Sequence, residues 1–287
     1  GGVAARGGVE VGWWGRSGRA LFGGRGQAAG KGGGWVLRGG VIFNASNIPL
    51  SAAVSLAGLS VAFPRGVGIA LVLGVIVNYL GAPSGNPVML FLGVAMIVVA
   101  IICNGIASGK QQSGADATVN NRKGLLLAVL AGVLLSLFYR FVVKGMDIAN
   151  FETPAPGMLT PYSAIFIFSL GVLASNFLFN TLVMRYPFVG GKVSYAEYFR
   201  GSFATHLTGC LGGAIWCLGT AFSYIASGEA GPAVSYALGQ GAPMIAAIWG
   251  VFIWREFKGA SKSVNQLLAL MFLLFIGGLA LIVAAGN

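Results

Sequence analysis

The feature that most constrains this chain is a series of uncharged apolar runs, each about as long as a bilayer's interior is thick. A hydrocarbon core of about 30 Å takes roughly 20 apolar residues per helix. Cut at their own Gly, Pro and Asn punctuation, the runs give eight spans, near 40–60, 64–80, 87–108, 124–143, 161–184, 203–226, 232–254 and 264–285. Helices are expected rather than barrel strands, because the runs are continuously apolar and lack the two-residue alternation of a porin strand. Pro64, Pro87, Pro161 and Pro232 each fall at or near the start of a span, where a missing amide costs least. The expected fold class is therefore an all-α polytopic membrane protein.

Charge supports this and orients the spans. Only 9% of the residues are charged, against about 25% in a soluble domain. The net charge of +11 would suggest nucleic acid if the basic residues formed one surface patch, but they stand in ones to threes between apolar runs, so no nucleic-acid partner is expected. One set of alternate loops holds Arg65, then Lys110, Arg122 and Lys123, then Arg185, Lys192 and Arg200, then Arg255, Lys258 and Lys262. The opposite set holds only Arg140 and Lys144, with Asp147, Glu152 and Glu229. The positive-inside rule makes the first set cytoplasmic and puts the C-terminus outside. Arg140, close to its helix end, is expected to snorkel to the outer interface.

Residues 1–38 obey neither pattern. They contain fourteen glycines and six basic residues with no apolar run long enough to span. The segment is expected to be disordered, or an artefactual stretch standing where membrane helices belong. The remainder divides into a partial first repeat of three helices, 39–122, and a second repeat of five, 123–287. Shifting the sequence by 173 positions aligns 39–68 with 212–241 without a gap, and nine positions are identical, Gly39/Gly212 and Gly40/Gly213 among them. The two copies run in opposite senses across the bilayer under the loop assignment above. Inverted repeats are a signature of secondary transporters. On this basis the first two helices of a ten-helix fold are expected to be missing.

Polar residues inside spans either bond helices together or line a pathway. Asn44, Asn47, Ser51 and Ser55 recur at three and four residues along the first span, and Trp216, Thr220, Ser223 and Ser227 do so in its repeat partner. Ser169, Asn176 and Asn180 share a face of the fifth span, and Tyr236 and Gln240 lie one turn apart in the seventh. Amides and hydroxyls beside flat aromatic surfaces suit a neutral polar solute that offers donors and acceptors on several edges. The candidate substrate-binding residues are accordingly Asn44, Asn47, Asn176, Asn180, Trp216, Thr220, Tyr236 and Gln240.

Enzymatic chemistry finds no parts. The chain has no HExxH and no GxSxG, and GIASGKQ at 105–111 falls one spacer short of a phosphate loop and ends in Gln, so a helix end with a glycine is expected there. One histidine, His206, and three cysteines, Cys103, Cys210 and Cys217, leave no metal cluster or disulfide scaffold. A helix-end hydrogen bond is expected for His206. No catalytic residue, metal or cofactor is expected.

Four segments carry a family resemblance: GGAIWCLGTAFSYIAS (212–227), GPAVSYALGQGAPMIAAIWGVFIWREF (231–257), LTPYSAIFIFSLGVLASNFLFNTLVM (159–184) and GGVIFNASNIPLSAAVSLAG (39–58). Together they resemble the ureide permease family of the drug/metabolite transporter superfamily, near the bacterial glucose and rhamnose uptake branches. The resemblance covers about 39–287. It implies ten helices in two inverted five-helix halves, and uptake of allantoin, uracil or related oxo-purines and pyrimidines with a coupling proton. Plant members carry a phosphate-loop motif in a central loop, which 109–123 lacks. The resulting expectation is a permease working by alternating access in the bilayer, multi-pass in a bacterial inner membrane. Sugar uptake, metabolite export and a truncated, non-transporting membrane protein are the alternatives. Oligomeric state is not legible in the sequence.

Overall fold

A computed structural model of the chain describes residues 30–57, 59–111, 118–253, 255 and 257–286. It contains α1 (Lys31–Ala57), α2 (Leu59–Gly81), α3 (Pro87–Gln111), α4 (Thr118–Gly145), α5 (Pro161–Arg185), a short α6 (Tyr195–Phe199) and α7 (Phe203–Ala226). After these come α8 (Pro232–Gly239), α9 (Ala242–Ile248), a π-helical turn (Trp249–Ile253) and α10 (Lys262–Ala285). Seven segments among the described residues are long and apolar enough to cross a membrane, and the apolar part of α2, Arg65–Gly81, is an eighth, shorter one. The all-helical polytopic class is what the apolar runs dictate.

Spans successive in the chain run antiparallel, so the molecule has two ends. Gly32 in α1 donates its amide to the Gly157 carbonyl, Arg140 in α4 reaches the Gly81 carbonyl at the close of α2, and Asn86 donates to the Ala285 carbonyl. We call this end A. At the other, end B, Gly124 of α4 meets Leu56 and Ala57 of α1, and Lys123 donates to the Phe188 carbonyl. All ten basic residues of the first loop set fall at end B. Lys31, Arg38, Arg140 and Lys144 fall toward end A, where Arg38 and Lys144 lie over the Trp35 ring at 5.3 and 4.8 Å. Arg140 donates from Nη2 to Gly81 at 2.8 Å, which supplies a cation to the carbonyl-rich terminus of α2.

The first helix begins at Lys31, nine residues before the expected start at 40. Residues 31–38 are therefore helical, and the remainder of the Gly/Arg-rich segment, 1–29, lies outside the described residues. Packing explains the difference. A Cβ on Gly32 would come within 2.5 Å of the Gly157 carbonyl, and one on Gly40 within 2.3 Å of the Phe168 carbonyl. Glycines that look like disorder in a sequence are here the surface on which α4 and α5 approach α1. Such close backbone contact is how helices associate in lipid, where burial of apolar surface offers no advantage. On α7 the aligned residues, Gly212 and Gly213, have nothing within 4 Å of their Cβ positions.

A second departure concerns the expected span 232–254, which breaks at Gln240–Gly241 between α8 and α9. Pro243 has no amide to give to the carbonyl of Gly239 and its ring crowds that turn. The Gln240 amide instead closes α8 with hydrogen bonds to the Tyr236 and Ala237 carbonyls at 3.1 Å.

Candidate functional site

The polar stripe of α1 faces a cleft of about 370 Å³ near end B. Asn44, Asn47, Ile48, Ser51, Ala52 and Ser55 form one wall, Asn180 and Val183 of α5 another, and Pro187, Phe188 and Val189 the lip. Positions 44, 47, 51 and 55 share a helix face because 3.6 residues make a turn. The lip follows α5, whose last turn ends where the Tyr186 amide closes on the Leu182 carbonyl at 2.8 Å. Lys123 of α4 holds the lip through a 2.7 Å bond to the Phe188 carbonyl.

Three of the eight candidate residues line this cleft, and they differ in what they can offer a solute. Asn44 is 7% exposed and gives its amide to Ser175 Oγ at 3.0 Å, so part of its capacity joins α1 to α5. Asn47 gives one N–H to the Phe43 carbonyl of its own helix at 2.9 Å, leaving its Oδ1 and second N–H for a ligand. Asn180 is exposed on the opposite wall. Asn176, one turn before it, does not line the cleft.

Trp216 packs on α1 and α5 from α7. Its ring stacks on Phe43 with centroids 4.4 Å apart and lies 6.1 Å from Phe168, and Phe43 is one turn from Asn47. Trp216 remains 42% exposed, but neither it nor Phe43 is among the residues that line the cleft. Thr220, one turn on, spends its hydroxyl on the Trp216 carbonyl at 2.9 Å. Gln240 lies at the break between α8 and α9.

Tyr236 goes elsewhere. It is buried, its ring fills the space over Gly74, and its hydroxyl donates to the Ala70 carbonyl at 2.8 Å. With Phe138, Tyr139, Phe168 and Tyr224 it builds a closed aromatic layer toward end A, with centroid separations of 5.4 Å to Tyr139 and 6.3 Å to Phe138. Neither Tyr236 nor Gln240, one turn apart as expected, is among the residues that line the cleft. His206 likewise differs from expectation: its ring packs edge-on to Tyr198 at 5.0 Å, and its Nε2 has no hydrogen-bond partner among the described residues. Sequence reasoning missed the 187–189 lip, for which no local pattern exists. Ser51 and Ser55, seen as part of the stripe, belong to the wall.

A bundle of apolar spans with a polar cleft, and apolar side chains such as Phe203 80% exposed on its outer surface, defines a polytopic membrane carrier. More narrowly, the chain belongs to the ureide permease family, whose profile matches residues 116–285, more than half its length. It is thus a transporter and not an enzyme. Among similar proteins of Arabidopsis thaliana, Ureide permease 1 is 22% identical over 307 residues, and Ureide permease 2 is 24% identical over 315. In each case the match covers 88% of this chain and 78% of the relative. Transmembrane protein 144 homolog B of Dictyostelium discoideum is 21% identical over 150 residues, half of this chain and 38% of that protein. No solved structure matches the chain.

Proposed function

We propose that this transporter carries a small, neutral, ring-shaped polar solute of the ureide or nucleobase kind, such as allantoin or uracil, through the end B cleft by alternating access. One observation carries the proposal: the free amide edges of Asn47 and Asn180 face a common space, and Asn47 stands one helical turn from Phe43, which stacks on Trp216. Amides on opposite walls pair with donor and acceptor edges of a cyclic urea or imide, and the stacked rings take its flat face. The names of the relatives point to the same solute class. With the basic end B facing the cytoplasm, the cleft opens inward and the aromatic layer closes the outer side. In the working cycle the two halves rock so that the cleft closes at end B and opens toward end A.

Uptake of labelled allantoin and uracil into proteoliposomes, with each competing against the other and against glucose, tests this. Asn47→Ala and Asn180→Ala should each lower uptake about two- to tenfold, the worth of one neutral hydrogen bond, with membrane insertion unchanged. If both variants transport normally, the cleft is not the solute site.

A further inference from the structure

The two helices that wall the solute cleft touch at depth and part toward end B. Gly40 of α1 lies against the Phe168 carbonyl of α5, and one turn further on Asn44 donates to Ser175 Oγ at 3.0 Å. Beyond that bond the walls separate, with Asn47, Ser51 and Ser55 on one side and Asn180 and Val183 on the other. α5 leans on α1 and touches α4 little, so helix packing by itself does not close the gap at end B. Pro187, Phe188 and Val189 stand at that mouth.

Two anchors of different chemistry hold this lip, and both act on Phe188. Its side chain packs on a small apolar cluster, separate from the main core, made of Ala53 from α1, Ala62 from α2, and Leu127 and Ala128 from α4. Its carbonyl takes the 2.7 Å bond from Lys123 Nζ, and a bond given by a cation is stronger than one between neutral groups. Near the N-terminal end of α4 the helix dipole offers a cation no gain, and the lip carbonyl is the hydrogen-bond partner Lys123 has among the described residues. Both anchors are of a kind that can let go. Phe188 is only half-buried and Lys123 is exposed, where water competes for the ammonium. The base of the loop is firmer, because the Tyr186 amide donates to the Leu182 carbonyl at 2.8 Å and the Val193 amide to the Met184 carbonyl at 3.2 Å. Past the lip Gly190 has a φ of +77°, which glycine adopts without strain. Neither it nor Gly191 has any atom within 4 Å of its Cβ position. A loop fixed at its base, pinned at one residue and uncrowded at its glycines has the build of a flap.

We propose that residues 187–189 are a gate over the end B mouth of the cleft, latched through Phe188 by Lys123 and the small apolar cluster. Releasing the latch widens access to the cleft from end B. The inference rests on the cleft as the solute path, but its readout needs no transport. In the purified full chain, with Cys103, Cys210 and Cys217 replaced by Ala, a cysteine at Ser51 on the cleft wall reports access. A cysteine at Lys258, exposed and outside the cleft lining, is the control. An uncharged methanethiosulfonate serves as the reagent, so that losing the Lys123 charge neither attracts nor repels it. Phe188→Ala and Lys123→Met should each speed modification at Ser51 by about threefold or more, the scale of one exposed charged contact, and leave the rate at Lys258 unchanged. Lys123→Arg keeps a cationic donor and should stay within about twofold of the parent. Should Phe188→Ala lower the yield of folded chain, Lys123→Met, at an exposed position, carries the comparison. Unchanged rates at Ser51 in the latch variants, or equal acceleration at Lys258, would overturn the gate and leave the lip as a fixed wall. The solute assignment fails separately: normal uptake by Asn47→Ala and Asn180→Ala takes the solute out of the cleft without altering the labelling result.

Discussion

Single residues in this protein take their meaning from what lies opposite them. Gly40 and Gly213 occupy equivalent places in a 173-residue alignment, yet a Cβ would strike the Phe168 backbone at the first and meet nothing within 4 Å at the second. Gly40→Ala should cost about 1–3 kcal/mol by overpacking. Gly213→Ala should be neutral or stabilise by up to about 1 kcal/mol through helix propensity. Thermal unfolding of the two variants in detergent separates them, and equal losses would contradict the close approach of α1 and α5. Such a contrast was not legible in the sequence, which presents both positions as a Gly-Gly pair. The amide stripe was legible, because a three-and-four spacing names a helix face whatever the fold. Which amides keep a free edge was not, since Ser175 takes the amide of Asn44 from 131 residues away.

Among the helices, ends matter more than middles. The short α6 is held by a capping box in which the Ser194 amide and hydroxyl both donate to Glu197 Oε2, at 2.6 and 2.9 Å. Those bonds favour the ionised carboxylate and hold Glu197 below its ordinary value of 4.5. A pKa lowered by folding gives stability that is complete above the ordinary value and lost as pH falls through the lowered one. Amide hydrogen exchange at Ser194 should therefore stay protected from neutral pH down to the ordinary carboxylate range and lose protection only below it. The break between α8 and α9 is a second such end. Replacing Pro243 with Ala restores an amide able to reach Gly239, and the two short helices should fuse into one. If rocking of the halves uses this joint, uptake by Pro243→Ala should slow severalfold with solute affinity little changed. Pro243 was legible as a mark near the seventh span but not as its breaking point, because prolines in membrane helices also sit in continuous ones, as Pro49 does within α1.

Across the whole molecule, the alternation of helix direction sorts charge to the two ends. Cysteines introduced at Lys110, Lys192 and Lys258 should react with an impermeant maleimide from one side of the membrane, and those at Asp147 and Glu229 from the other. A split within either set would undo the topology. That sorting follows from the sequence alone, because a run of apolar residues must cross a bilayer and each crossing exchanges one side for the other. Helix number, class and end assignment are therefore local and additive properties that a reader of the chain can sum. The tertiary structure alone decided which polar faces meet. It brought Asn47 and Asn180 to one cleft and took Tyr236 into the aromatic layer. Those outcomes depend on the rotation of each helix about its own axis. In lipid that rotation is set by close packing against neighbours distant in sequence, and no stretch of residues encodes it by itself.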